Sequence, residues 1–219
     1  MRRDRARLAA VLTFGFAIAA AACGHELATQ PHTAPSWLTP PPPPNFASFD
    51  ATSTTTSGPI SVTFTIQPSS DNTVLIGPHA LVIPANSVCD PATSGYGDGT
   101  WDNPCSTITA PITVTATASI VNGHPLVEFD THLRFKPVQD YAPGVVMLYL
   151  RDDSASSTAK INWCPTSDTT CVDETQLPSN AYQLQTWYDP SGNWVYRKIK
   201  HFSGYNVAEG RDSDSTGGL

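Results

Sequence analysis

Residues 112–121 read ITVTATASIV, and residues 60–66 read ISVTFTI. In both stretches, apolar or small residues alternate with threonine or serine, which is the period-two pattern of a β-strand with one buried face. Residues 193–202, NWVYRKIKHF, follow a similar alternation. No stretch of useful length has the roughly 3.6-residue period of an amphipathic helix, so these runs predict a domain built from strands.

Shorter apolar runs, separated by Gly, Pro, Asn and Asp, complete the set of predicted strands. They are TVLIG at 73–77, ALVIP at 80–84, THLRFKP at 131–137, GVVMLYL at 144–150, AKINW at 159–163, YQLQTWY at 182–188 and YNVAE at 205–209. About ten short strands over residues 60–209 predict a single all-β domain, either an antiparallel β-sandwich or a partly open barrel. The turn sequence DPSG at 189–192 joins two of the runs and predicts a hairpin over residues 182–202.

The N-terminal residues 1–22 have the composition of a secretory signal peptide. Four arginines precede an apolar run of 15 residues, LAAVLTFGFAIAAAA at 8–22, and a basic start before such a run is typical of an export signal. The run is shorter than the roughly 20 residues that a membrane-spanning helix needs. Residues 20–23, Ala-Ala-Ala-Cys, resemble the lipobox of bacterial lipoproteins. That resemblance implies cleavage before Cys23 and attachment of diacylglycerol to its thiol, and an ordinary signal peptide cut nearby is the alternative.

Residues 23–59 predict a disordered tether rich in proline and threonine. The segment has almost no alternating apolar pattern and contains five consecutive prolines, Pro40–Pro44. Proline-rich chain favours the extended polyproline form, at about 3.1 Å per residue, so it would hold the domain away from a membrane surface. Unstructured filler and a proline-rich ligand for a recognition module are the alternatives. Residues 210–219 are polar and end in glycine and leucine, and we expect a flexible tail there.

The mature chain is expected to be strongly acidic. The sequence has 12 basic and 19 acidic residues and a formal net charge of −7. Removing residues 1–22 takes away four arginines and one aspartate, which leaves a net charge of −10. Phosphate backbones and anionic membrane surfaces would repel such a chain. We therefore expect no nucleic-acid partner, membrane attachment through the lipid alone, and a protein or a glycan as the partner.

Of the five cysteines, all but Cys23 fall into two close pairs, Cys89 with Cys105 and Cys164 with Cys171. Among the possible connectivities, nearest-neighbour pairing closes short loops around segments rich in Gly, Asp and Pro. We expect that pairing, which indicates an oxidising compartment outside the cytoplasm. No Cys-x-x-Cys occurs, so the spacing argues against a zinc site.

The loop between the first two cysteines, residues 89–105, holds candidate binding residues. Tyr96 and Trp101 would stack on a sugar or on a partner side chain, and Trp101 capping the edge of the sandwich is the alternative. Asp98 and Asp102 lie near glycines in the same loop. Calcium binds such carboxylates, but the spacing matches no EF-hand and turn formation explains the residues. We expect no metal and no cofactor.

A second group of polar residues lies further along the chain. Glu128, Asp130 and His132 would share one strand face, with His124 close in sequence. A metal site would use such a group, but we favour the solvated face of a half-buried strand.

Several motifs in order along the chain resemble a ZU-type domain. Among them are GPHALVIPANSV at 77–88, VEFDTHLRFKPV at 127–138 and HFSGY at 201–205. This β-sandwich is shared by ankyrins, netrin receptors, zonula-occludens proteins and many bacterial surface proteins, and the likeness covers residues 60–209. The resemblance implies an interaction or structural module rather than an enzyme.

The tripeptide His201-Phe202-Ser203 is the one feature that suggests chemistry. In self-cutting relatives with death domains, and in an unrelated nucleoporin, the same tripeptide breaks between Phe and Ser. That resemblance implies attack of the Ser203 hydroxyl on the Phe202 carbonyl, with His201 as general base and a strained turn at Gly204 that lowers the barrier. The alternative is a packed strand end at which Ser203 bonds the backbone.

Together these features predict a lipid-anchored, extracytoplasmic β-sandwich of the cell envelope that acts as a binding or structural module. His25 follows Gly24, so the aspartate that retains some lipoproteins in the inner membrane is absent, which favours the outer membrane where the organism has one. Two other hypotheses remain. One is a self-processing domain that cuts between Phe202 and Ser203, and the other is a carbohydrate-binding module.

Overall fold

The computed structural model describes residues 43–44, 58–97, 99–137, 144–165, 170–176 and 184–209. Within these ranges the chain forms ten β-strands and a short 3₁₀ turn at Glu174–Gln176. The strands are β1 (Ile60–Ile66), β2 (Asn72–Ile76), β3 (His79–Ile83), β4 (Ile112–Val121), β5 (His124–Phe129), β6 (Met147–Arg151), β7 (Lys160–Cys164), β8 (Trp187–Asp189), β9 (Trp194–Lys198) and β10 (Gly204–Ala208).

The strands form two five-stranded sheets in which every pair of neighbours is antiparallel. One sheet has the order β1-β4-β5-β10-β7 and the other has the order β2-β3-β6-β9-β8. The sheets do not close into a barrel. The predicted all-β class is therefore confirmed, and of the two predicted architectures the sandwich is the correct one.

The alternating sequences decide which face of each sheet turns inward. In β4, Val114, Ala116 and Ala118 are buried in the core, whereas Thr113 is exposed. Because side chains of a strand point alternately to its two faces, this pattern places the inward-facing apolar residues of both sheets in one shared layer. Strands β3, β6 and β9 also bury residues on their other face, where a second cluster forms from Ala80, Met147, Tyr149, Trp194 and Tyr196. Strands β1 and β4 have the predicted bounds. The predicted hairpin is also present, since β8 and β9 pair on either side of the 190–193 turn.

Residues 131–137 were predicted as a strand, and that prediction is wrong. Strand β5 ends at Phe129, and the following segment makes only single bridges to the rest of the sandwich. Asp130 explains the end of the strand, because its carboxylate accepts the Thr115 backbone N–H at 2.7 Å and the Thr131 hydroxyl at 2.8 Å. A side chain that accepts a backbone N–H in this way takes the place of the next hydrogen bond between β4 and β5, so the strand ends there. The expected strand face shared by Glu128, Asp130 and His132 therefore does not form.

Several predictions lie outside the described residues. They concern the signal peptide, the lipidated Cys23, almost all of the 23–59 tether, Asp98 and the 210–219 tail. In the part of the chain that is described, no helix is long and apolar enough to cross a membrane.

Candidate functional site

The His201-Phe202-Ser203 tripeptide lies between β9 and β10, where the chain crosses from one sheet to the other. The Phe202 backbone N–H donates to the Leu133 carbonyl at 2.8 Å, and the Phe129 N–H donates to the Ser203 carbonyl at 3.1 Å. Backbone bonds thus fix both sides of the Phe202–Ser203 peptide against one segment of the chain, residues 129–133.

Phe202 anchors the tripeptide in the core. Its side chain is fully buried, its ring stacks on Phe129 with the ring centres 4.1 Å apart, and the Phe135 ring meets it edge-on at 4.9 Å. Burying a phenylalanine in this way stabilises the fold by about 1.5–3 kcal/mol. The Phe202 side of the Phe202–Ser203 peptide bond is therefore held rigidly.

The strained turn expected at Gly204 is absent. Gly204 has no positive φ and is the first residue of β10, paired with Glu128 and Cys164. A Cβ at this position would lie 2.8 Å from the Cys164 carbonyl oxygen. Close approach of two backbones, rather than strain, is the reason for glycine here.

His201 has its ring beside the Ser203 hydroxyl. The ring is fully buried, and its Nδ1 lies 3.3 Å from Ser203 Oγ and 3.3 Å from the Tyr205 hydroxyl oxygen. The Tyr205 hydroxyl donates to the His201 carbonyl at 2.6 Å, and burial raises the pKa of Tyr205 well above its ordinary value, so this donor keeps its proton. Because the Tyr205 proton is used on that carbonyl, Nδ1 can accept the proton of Ser203 in the tautomer that carries its own proton on Nε2.

Tyr96 reaches the Phe202 carbonyl from a remote part of the sequence. Its hydroxyl donates to the Phe202 carbonyl oxygen, which belongs to the bond that self-cleavage would break. Its ring meets Trp101 and His132 edge-on, at 4.8 and 4.7 Å. Burial raises the pKa of Tyr96 to about 12, so the hydroxyl remains a donor at neutral pH.

Both expected disulfides are present. Cys89 is bonded to Cys105 with Cα atoms 5.6 Å apart, and Cys164 is bonded to Cys171 with Cα atoms 4.2 Å apart. The two bonds are compatible with a location outside the cytoplasm. Residues 89–105, named here the capping loop, contact the His201 ring through Trp101 and Tyr96. The Arg134 guanidinium donates to two carbonyls of this loop, those of Thr100 and Asn103.

The capping loop carries the residues that we expected to bind a partner, and of these Trp101 turns inward, whereas Tyr96 and Asp102 are exposed. Trp101 is 7% exposed and stacks on the His201 ring at 4.0 Å, so the edge-capping alternative is the one observed. Asp102 forms an ion pair with Lys200 at 2.7 Å and is more exposed. Two candidate sites in the sequence, the capping loop and the tripeptide, are thus one site. One face of the Trp101 ring is covered by His201.

A buried ion pair completes the site and was missed in the sequence. Glu174 and Arg197 are 3% and 0% exposed, and one guanidinium nitrogen of Arg197 donates to Glu174 Oε2. The other carboxylate oxygen, Oε1, lies 3.6 Å from His201 Nε2. That separation is too long for a hydrogen bond, and Nε2 has no such partner among the described residues. Burial raises the pKa of Glu174, but the Arg197 charge and His201 outweigh it and lower that pKa to about 2.

One signal for this pair was available. In the 193–202 run, Val195 and Ile199 face the core, so the alternation places Arg197 on the buried face as well. An arginine at a core position requires a buried anion. The sequence does not indicate which of the 19 acidic residues would supply it.

No three His, Cys, Asp or Glu side chains of the described residues are arranged to hold a metal ion. Comparison with protein-family models, curated proteins and solved structures finds no match to this chain. The resemblance to a ZU-type domain therefore rests on the sequence motifs alone.

Proposed function

We propose that this chain is a lipoprotein of the cell envelope that displays its β-sandwich outside the cytoplasm as a binding or structural module. The observation that carries the proposal is the pair of disulfides, each of which closes a loop of the sandwich. Disulfides persist in oxidising compartments, where residues 1–22 would direct the chain. The tether then links the domain to lipidated Cys23.

Lipid attachment is tested by expressing the full chain in a bacterium that processes lipoproteins and feeding the cells an alkyne-tagged palmitate. We expect the label on the wild-type chain in the membrane fraction, and we expect Cys23→Ser to be unlabelled and secreted. A wild-type chain that carries no label and leaves the membrane would contradict the anchor. Correct disulfides in both chains would show that only the anchor has changed.

Self-processing is the second candidate function, and two contacts favour it. The Phe202 carbonyl already accepts a hydrogen bond from Tyr96, and the Ser203 hydroxyl already lies beside a histidine nitrogen that can take its proton. Stabilisation of the carbonyl oxygen and activation of the nucleophile are the two requirements of acyl transfer.

The reaction would proceed in two steps. The Ser203 hydroxyl adds to the Phe202 carbonyl carbon and gives its proton to His201, and the C–N bond then breaks as His201 returns the proton to the leaving nitrogen. The products of this step are an ester and a free amine. Water then adds to the ester carbonyl and the C–O bond breaks, which leaves a carboxyl group on Phe202 and the hydroxyl on Ser203.

Denaturing intact mass tests this candidate. The Cys23→Ser chain is secreted into an oxidising compartment, named here the secreted chain, and compared with the same chain carrying Ser203→Ala. We expect the secreted chain to yield a fragment of 17 residues, 203–219, and the variant to stay whole. An uncut secreted chain, also after hydroxylamine treatment to open any ester, would rule out self-processing and leave the display module.

A further inference from the structure

We propose that two residues beside the disulfides complete the self-cleavage site: Tyr96, in the loop closed by Cys89–Cys105, at the Phe202 carbonyl, and Glu174, three residues after Cys171, beside His201. This inference rests on the self-processing proposed above. It assigns two residues, Tyr96 as a catalytic residue and Glu174 as a positioning residue, to a site that the tripeptide alone does not define.

Tyr96 would act where negative charge develops. When Ser203 Oγ adds to the Phe202 carbonyl carbon, the carbonyl oxygen becomes an oxyanion, and the Tyr96 hydroxyl is already bonded to that oxygen. A donor placed in advance is worth more in the transition state than in the ground state, because it does not have to reorient as the charge appears. The Tyr96 ring is fixed by Trp101 and His132, so the donor is preorganised.

Glu174 would act through His201. In the tautomer whose Nδ1 accepts from Ser203, the ring carries its proton on Nε2, which is the nitrogen that faces Glu174 Oε1 at 3.6 Å. When Nδ1 takes the Ser203 proton, the ring becomes an imidazolium next to a buried carboxylate. A carboxylate in this position selects the tautomer that can act as base and stabilises the charge that forms.

Each disulfide lies close in sequence to the residue that it would fix in place. The Cys89–Cys105 bond closes the capping loop, which carries Tyr96. The Cys164–Cys171 bond ties the end of β7 to the segment that leads to Glu174. Two backbone bonds between Trp163 and Val172, at 2.6 and 2.9 Å, hold the same segment. The site is therefore assembled from three parts of the chain that are far apart in sequence.

Tyr96→Phe is the sharpest test, because it removes one hydroxyl and keeps the ring packing. Pulse-chase labelling of the secreted chain, read by denaturing mass, gives the rate of the cut. We expect Tyr96→Phe to slow it by about 10²–10³-fold, which is the usual effect of removing one oxyanion donor. Equal rates in the secreted chain and Tyr96→Phe would overturn the role of Tyr96 while self-processing stands. An uncut secreted chain would overturn both.

Glu174→Gln needs a second readout, because it also leaves the buried Arg197 unpaired. We expect a cut slowed by about 10²-fold or more, both in Glu174→Gln and in Glu174→Gln/Arg197→Met, which removes the unpaired charge. In the uncut Ser203→Ala background, ¹⁵N shifts of the His201 ring should show the proton on Nε2 when Glu174 is present and partly on Nδ1 in Glu174→Gln. An unchanged rate, or a slower cut with an unchanged tautomer, would overturn the positioning role.

Discussion

Gly204 follows the candidate cleavage site, and its missing side chain is what lets β10 lie against β7. The Cβ of an alanine would meet the Cys164 carbonyl oxygen at 2.8 Å and the Cys164 Cβ at 3.0 Å. Because backbone atoms cannot move aside cheaply, we expect Gly204→Ala to lower the free energy of unfolding by about 1–3 kcal/mol. Urea denaturation measures this. Gly58→Ala is the matched control, since nothing lies within 4 Å of its added Cβ, and an equal loss in both variants would contradict the argument.

His79 makes the stability of the sandwich depend on pH. Burial lowers the pKa of His79 from its ordinary 6.5 to about 4, although the Asp152 charge opposes the shift. The unfolded chain therefore takes up a proton near pH 6.5, whereas the folded chain does not until about pH 4. The contribution of neutral His79 to the free energy of unfolding is present above pH 6.5. It is lost as the pH falls toward 4, by about 1.4 kcal/mol per pH unit.

The His79→Gln variant tests that dependence. Glutamine retains an acceptor for the Arg151 backbone N–H, which donates to His79 Nδ1 at 3.1 Å. Between about pH 6.5 and pH 4.5 we expect the wild-type unfolding free energy to fall about 2–3 kcal/mol further than that of the variant. Urea titrations at both pH values give the difference, and parallel losses in the two proteins would show that His79 is not responsible.

Among the elements, the capping loop depends most on a covalent bond. Its turns contain few apolar residues, and the Cys89–Cys105 bond joins its two ends. Arg134 and the Asp102–Lys200 ion pair hold it to the sandwich. A disulfide that closes a loop of about 15 residues contributes roughly 3 kcal/mol in the chain-entropy model. Without it, the loop that carries Tyr96 and Trp101 is held only by contacts that can open.

The capping-loop disulfide has two expected effects when it is removed. We expect Cys89→Ser/Cys105→Ser to lower the free energy of unfolding by roughly 3 kcal/mol, and we expect any cut at Phe202 to slow, because Tyr96 is no longer held at the carbonyl. Urea denaturation and denaturing mass measure the two effects. A variant that unfolds at the wild-type urea concentration would contradict the first, and one that is cut at the wild-type rate would contradict the second.

The sequence correctly predicted the strands in which the alternation of apolar and polar residues matches the burial of the side chains. Strands β1 and β4 have the predicted bounds because their period-two alternation coincides with one inner face that is more buried than the outer face, up to the exposed end of β4 at Ile120 and Val121. Residues 131–137 alternate as well, yet the Asp130 turn diverts the backbone, and a local hydrogen bond of that kind is not visible as a period. The candidate site was predicted only as separate pieces, since the contact between Tyr96 and Phe202 depends on tertiary folding and not on spacing.

For the whole molecule, the place of β10 in the sheet decides what a cut would do. Strand β10 is an interior strand that pairs with β5 on one side and with β7 on the other. Tyr205 and Val207 are fully buried in the common core. Breaking one peptide bond removes none of these contacts, because the ladder and the core packing are not covalent. A chain cut after Phe202 should therefore keep its fold and retain residues 203–219.

We accordingly expect a cut chain to run as one species on native size-exclusion chromatography and as two masses after denaturation. Val207→Asp should release the fragment, because it places a charge in the core, whereas Ala208→Asp, at a half-buried position of the same strand, should not. Fragment loss from the wild type in native buffer would show that β10 is held mainly by its covalent link. Retention in Val207→Asp would show that the core contact of Val207 contributes little, which its complete burial argues against.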